Sequence, residues 1–393
     1  MTDGEHRATP DQVLAFRLRR QGLVEPRERE AGPSDLASAA RAACGIQAQV
    51  LRAAEVGLGV RTHGIGVEAV GRALWSERRL VKTWTLRGTL HLVAAEDHPL
   101  FVGALRPDLL RDVEAWMGRE GLGQGRLQRL DEAVGQALEE GPLTRRELAG
   151  AVIGRLGSWA EPWMVHSWGG ALKHAAIAGR ICFGPPRGQE VTFVRTDRWL
   201  PPAPEPTDDG SALGRLALRY LASFGPASEQ DFAYWSGVRV GTARRAFAAW
   251  GEELVWVSVG DGLREDLPGG WIHRDDLEDL AAASVDEERV HLLPSFDAYL
   301  LGHKEKALFL DGRHRTRVCR PAGWVAPVVL RNGRVIGTWA HKTTGRTLKV
   351  TVALFGRSNR KLRGCLEDAG ARLGAFLDLD PAVGYGPATT AAR

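Results

Sequence analysis

Two glutamines stand one residue apart near the start of the chain, in the run Gly45-Ile46-Gln47-Ala48-Gln49. A glutamine carboxamide is both donor and acceptor. Its carbonyl can accept from a water and face a cationic centre, while its NH₂ can hold a phosphate or the edge of a base. It cannot act as a general base. Such a pair suits placing water and dipoles around developing positive charge, on a substrate already disposed to break. The spacing sets a condition. On a regular helix, residues i and i+2 point about 200° apart, so convergence needs an extended or distorted backbone. Gly45, immediately upstream, makes such a break admissible. On spacing alone, the ordinary alternative is that both glutamines sit on a solvated helix end.

The commoner catalytic patterns are absent: there is no GxxxxGKS/T, HExxH, GxSxG or CxxC. Gly57-Leu58-Gly59 lacks the strand-turn-helix context of a nucleotide fingerprint. Cys44, Cys182, Cys319 and Cys365 are far apart in sequence and read as reduced, mostly buried thiols. Neither a metal nor a cofactor is expected. The 393 residues suggest two to four domains, and 44% hydrophobic with 25% charged residues is an ordinary globular composition. No apolar run approaches the roughly 20 residues that span a bilayer. The polar first ten residues lack the apolar core of a signal peptide, so a cytoplasmic location is expected. Net charge is only +4, from 52 basic and 48 acidic residues, but the basic residues are nearly all arginine. Arginine grips phosphate through a planar fork. Base composition of a GC-rich genome would produce the same bias.

Three stretches repeat one grammar of helices followed by a hairpin. In the first, residues 11–23 carry apolar residues at helical spacing, Ser34 or Asp35 can cap a second helix to about 46, and 66–76 reads as a third. Strands at 80–86 and 89–93 flank Arg87-Gly88. In the second, 127–138 is a helix, Thr144 with Glu147 forms a capping-box pattern for the next, and 162–178 is a third. Strands at 180–183 and 190–195 then flank the basic tip Gly184-Pro185-Pro186-Arg187-Gly188-Gln189. Pro201-Pro202-Ala203-Pro204-Glu205-Pro206 reads as a stiff linker. Beyond it come helices at 212–224, 228–235 and 242–250 and a strand at 254–259. From about 290 the chain turns β-rich, with strands at 324–330, 335–340 and 347–354. Asn332-Gly333 marks a hairpin between the first two, and a closing helix follows at 361–377.

With these motifs in order, the chain resembles the winged-helix DNA glycosylases of the AlkZ and YcaQ group. The resemblance rests on Gly45-Ile46-Gln47-Ala48-Gln49, Thr83-Trp84-Thr85-Leu86-Arg87-Gly88-Thr89-Leu90-His91-Leu92-Val93 and Asp197-Arg198-Trp199-Leu200-Pro201. It rests also on Leu293-Pro294-Ser295-Phe296-Asp297-Ala298-Tyr299-Leu300-Leu301-Gly302-His303-Lys304 and Asn332-Gly333-Arg334-Val335-Ile336-Gly337-Thr338-Trp339. The resemblance implies an α+β fold: three tandem winged-helix motifs plus a C-terminal β-barrel-like domain, with a concave basic surface that holds duplex DNA. The divisions expected are 1–110, 111–205, 206–286 and 287–393.

In that family the catalytic element is Gln, a small or apolar residue, then Gln or Asp, so Gln47 and Gln49 take the catalytic positions. The Gln-Gln version is associated with AlkZ-like enzymes, which remove bulky or crosslinking antibiotic adducts. The Asp version is associated with the YcaQ-like branch. The resemblance implies a monofunctional glycosylase without lyase activity. Its substrate would be double-stranded DNA carrying alkylated purines, it would work as a monomer, and it would need neither a membrane nor an obligate protein partner. Arg87, His91, Arg180, Phe183, Arg187, His303 and Lys304 are the expected DNA contacts. For His91 the alternative is a hydrogen-bonded strand residue, and for the second hairpin an exposed, solubilising turn. Asp297 and Tyr299 read as buried anchors, and Trp163, Trp168, Trp235 and Trp250 as core. The competing functional readings are a winged-helix transcription regulator and a drug-sequestering protein. The first lacks an evident dimerisation helix.

Overall fold

The computed structural model describes residues 6–24, 33–166, 169–202, 211–260, 267–285 and 288–387. The proposed caps Ser34 and Asp35 have side chains outside the described set, as do Trp168 and most of the proline linker. No helix among the described residues is long and apolar enough to cross a membrane.

The first helical set contains Pro33–Ala42, Leu51–Gly59 and Val67–Trp75. A three-stranded sheet follows, in the order Ile46–Gln47, Leu90–Ala94, Leu80–Trp84. The second set contains Gln124–Ala137, Arg145–Leu156 and Gly170–Ile177, with a sheet of Leu143–Thr144, Glu190–Arg195 and Ile181–Arg187. Its Thr144–Glu147 capping box is formed, with Glu147 N donating to Thr144 Oγ1 at 3.3 Å and Thr144 N to Glu147 Oε2 at 2.8 Å. The helix expected at 162–178 is interrupted. Gly169 and Gly170 both take positive φ (104° and 47°), which separates Glu161–Met164 from Gly170–Ile177.

The third set, Ala212–Phe224, Glu229–Ser236 and Val240–Ala248, leads into Leu254–Val259 and Leu267–His273. A parallel strand from the chain start, His6–Ala8, completes that sheet. The helix after it, Pro10–Arg20, begins with a Thr9–Gln12 capping box and buries Val13, Leu14, Phe16 and Leu18. These side chains share a core with Val255 and Val257 of the third sheet and with Tyr299 and Leu330 further on. The N-terminal helix thus packs with the third and last parts of the chain rather than with residues 33–110. A 22-residue helix, His98–Arg119, lies between the first two sets and packs on Ala212–Phe224 and Gly170–Ile177.

The C-terminal sheet runs Val290–Leu293, Val328–Arg331, Arg334–Thr344, Thr347–Leu354, Asp380–Tyr385. Asn332 and Gly333 both have positive φ (47° and 79°), the geometry of a tight hairpin turn. The two outer strands do not pair, so the sheet is an open half-barrel rather than a closed barrel. Helix Arg360–Leu377 packs on both of those outer strands and covers the opening. Arg61 and Asp297 tie this part to the first set. Two bonds of 2.8 Å join them, both side chains are fully buried, and Arg61 also donates to Gly57 O at 2.8 Å. Asp297 accepts as well from Tyr299 N, and the Tyr299 hydroxyl donates to Gly333 O, so both are buried anchors. Trp235 is 2% exposed, while Trp163 and Trp250 pack at the core margin. All four cysteines are free thiols.

Candidate active site

The Gln47-Ala48-Gln49 run is not helical: Gln47 ends a two-residue strand, and the chain bends at Gln49, just ahead of helix Leu51–Gly59. Cys44 (φ 51°) and Gly45 (φ 93°) stop helix Pro33–Ala42 in left-handed conformations, and Gly45 N donates back to Ala40 O at 2.9 Å. The chain then enters strand Ile46–Gln47, which pairs with Leu90–Ala94 so that Gln47 faces His91. Ala48 N continues the ladder to Leu90 O at 2.7 Å. Ile46 and Ala48 are each 1% exposed, whereas Gln47 is half-buried and Gln49 exposed. The distorted, non-helical backbone that the spacing requires is present, and both side chains reach the 87–90 segment of the paired hairpin.

Both carboxamide oxygens are already engaged. Arg87 Nη2 donates to Gln47 Oε1 at 2.9 Å, and Leu90 N donates to Gln49 Oε1 at 3.1 Å. A guanidinium and a backbone N–H offer only donors, so each amide must turn its oxygen inward. The NH₂ ends have no hydrogen-bond partner among the described residues. The expectation that the carbonyls would be the open, water-facing ends is therefore modified: NH₂ donors face outward, and each carbonyl keeps one lone pair.

Arg87 sits at the turn between the two long strands, in the left-handed region at φ 56°. Its Nη1 donates to the Trp235 carbonyl of helix Glu229–Ser236. Burial pushes its pKa down to about 10, with Tyr234 opposing the shift. Both arms are thus bonded inside the protein, which departs from the expected phosphate contact. His91 is 1% exposed, and its Nδ1–H donates to Thr89 O at 3.1 Å. Burial, then the Arg87 charge, pushes its pKa down to about 3. It is a neutral strand residue, and the expected DNA contact is corrected accordingly.

A family model described as DNA glycosylase AlkZ-like matches residues 40–376. The chain belongs to the AlkZ-like DNA glycosylase family. An interstrand DNA cross-link repair glycosylase of Streptomyces sahachiroi is 32% identical over 343 residues, 84% of this chain and 86% of that protein. The solved structure of Streptomyces sahachiroi DNA glycosylase AlkZ superposes with a TM-score of 0.80 at 28% identity, covering 97% of this chain and 100% of that one.

The remaining expected contacts of this AlkZ-like glycosylase divide by burial. Phe183 is 5% exposed in a cluster with Trp84 and Phe193, its ring centroid 4.9 Å from each, and Lys82 Nζ lies 4.9 Å from that centroid. It is a core residue, not a DNA probe. His303 is 4% exposed and donates through Nε2 to Phe224 O at 2.9 Å. Burial drives its pKa down to about 3, so it too is an interior group rather than a phosphate contact. Three cations do reach the surface. Lys304 is exposed, and its backbone N binds Asp231 Oδ1. Arg180 is 55% exposed on Asp131, and Arg187 is 56% exposed on the capping Glu147.

Sequence reasoning missed the residues that brace the site from a distance. The Arg61–Asp297 pair lies under helix Leu51–Gly59, which follows Gln49. Lys82 is 8% exposed, and burial lowers its pKa against the opposing pull of Glu55. Burial raises Glu55 against Arg52 and Lys82. No local pattern marks Arg61 or Lys82, because their partners are remote in sequence.

Proposed function

We propose that this glycosylase hydrolyses the N-glycosidic bond of alkylated purines in double-stranded DNA, with Gln47 and Gln49 as its catalytic residues. Its substrates are N7-alkylguanine, bulky antibiotic adducts and interstrand crosslinks. In this reading the three helical sets with their sheets are winged helices that hold the duplex, and the exposed Arg180, Arg187 and Lys304 meet its phosphates. The enzyme acts in the cytoplasm as a monomer.

The observation that carries the reading is the non-helical Gln-x-Gln run with both carboxamide oxygens anchored on the Arg87–Leu90 segment. An N7-alkylated guanine is cationic and already a good leaving group. Its departure builds oxocarbenium character on the sugar and returns electrons to the base. Outward NH₂ groups can bind acceptors on the departing base or a flanking phosphate, and the remaining carbonyl lone pairs can hold a water. Neither amide can give a proton to a departing base, so a neutral purine, which would have to leave as an anion, would be a poor substrate; the proton released when water adds to the sugar passes to solvent. A cavity of about 540 Å³ beside helix Arg360–Leu377 and a cleft of about 1060 Å³ beside Arg180 are lined by neither glutamine. An open site of this kind suits lesions too large to be extruded into a pocket.

The test is incubation with duplexes bearing N7-methylguanine, a bulky N7 adduct or an N7 crosslink, followed by detection of abasic sites. Excision from these and not from unmodified DNA is expected; no release across the panel overturns the proposal. Borohydride should trap no covalent enzyme–DNA adduct, because hydrolysis by water leaves no Schiff base.

A further inference from the structure

We propose that Arg87 is a positioning residue: it fixes which end of the Gln47 carboxamide faces the substrate, and it does so only while the third helical set is docked. The inference rests on the reading of Gln47 as catalytic.

Three features meet at this junction. The first is the planar fork itself, with one arm on Gln47 Oε1 at 2.9 Å and the other on the Trp235 carbonyl. A guanidinium can span two acceptors held by different parts of the chain, whereas a lysine ammonium is a single point charge. The second is the backbone of Arg87, held at φ 56° so that the side chain projects from the turn towards helix Glu229–Ser236. The third is Gly237, the left-handed cap of that helix (φ 88°). A Cβ on Gly237 would lie 2.8 Å from Arg87 Cα and 3.0 Å from Arg87 N, so the two backbones touch where only glycine fits. The arm on Trp235 O also sits at the negative end of its helix, which favours a cation there.

The consequence is directional. Without Arg87, the Gln47 amide loses the donor that holds its oxygen inward, and either end can face the substrate. A wrongly turned amide sets a lone pair where a donor is needed. The third set therefore contributes to the chemistry without offering a side chain to the lesion: its Trp235 carbonyl holds the arginine that holds the glutamine.

The experiment compares wild type with Arg87→Lys, Arg87→Met, Gly237→Ala and Gln47→Ala. It reads single-turnover excision of N7-methylguanine, duplex affinity against salt concentration, and the ¹⁵N–¹H signals of the Gln47 side-chain amide. Arg87→Lys keeps the charge and is the variant most compatible with folding. The expected result is a loss of about 10- to 100-fold in the excision rate for Arg87→Lys and Arg87→Met, the scale of a misplaced reacting group, with affinity and salt slope unchanged. Gly237→Ala, which leaves both side chains in place but wedges the junction, should lose rate in the same way. The Gln47 amide signals should shift or broaden in all three. A normal excision rate in Arg87→Lys overturns the proposal; so does a rate loss in Arg87→Met that tracks weaker binding and a shallower salt slope, which makes Arg87 a phosphate contact instead. If Gln47→Ala keeps its activity, the catalytic reading fails instead, and the amide signals still show whether Arg87 orients Gln47.

Discussion

Breaking the Arg61–Asp297 pair should be among the most damaging changes outside the site. Both side chains are 0% exposed, and Asp297 accepts two bonds from the guanidinium and one from Tyr299 N. Arg61→Met leaves a buried carboxylate with only that backbone donor. Asp297→Leu leaves a buried guanidinium with only Gly57 O. Removing one partner of a buried pair costs about 3–5 kcal/mol. Asp297→Leu also loses a cap worth about 1 kcal/mol. The double variant has no stranded charge, so the lost cap and imperfect packing should hold its cost to about 1–2 kcal/mol, far below the sum of the singles. The assay is urea denaturation followed by tryptophan fluorescence, with excision measured in parallel below the transition. Single variants within about 1 kcal/mol of wild type, or a double variant at the sum of its singles, would refute a buried, strongly coupled pair.

Acid should destabilise the enzyme early. His91 and His303 titrate in the fold at about 3, and His98 at about 4, all pushed down first by burial. The unfolded chain binds protons near pH 6.5, so these groups contribute stability above that pH and lose it as pH falls towards their folded values. Thermal melts should therefore drop steadily from pH 7 to pH 4, and a flat profile across that window contradicts the burial of these rings. Phe183→Ala should cost about 3–5 kcal/mol as a core truncation. Its duplex affinity at a temperature where it is folded should match wild type; a selective loss of affinity would restore the DNA-probing role.

Much of the architecture was legible where the causes are local. The Thr144–Glu147 box, the Asn332-Gly333 turn and the closing helix all follow from neighbouring residues, and each forms as expected. Strand Leu267–His273 was not legible, because its Pro268-Gly269-Gly270 reads as a breaker. Gly270 is needed there, since a Cβ would lie 2.3 Å from Ala227 N. Helix His98–Arg119 escaped notice because Pro107 sits inside it and reads as a breaker. At the site, the motif and its need for an extended backbone were readable. The inward turn of both carbonyls was not, because it depends on Arg87 and Leu90, some 40 residues away. Phe183, His91 and His303 have the residue types of DNA contacts, but tertiary packing takes them inside.

The most direct test of the central claim is excision of N7-methylguanine by Gln47→Ala and Gln49→Ala, each with its duplex affinity measured alongside. The account predicts that each loses about 10²–10³-fold in excision rate, the scale for removing one preorganised dipole. Binding should stay near wild type in both; the exposed Gln49→Ala should also melt near wild type, whereas Gln47→Ala leaves one arm of buried Arg87 without its acceptor and should lose about 1–3 kcal/mol of stability. Full activity in both variants would contradict it and move the chemistry elsewhere in the fold.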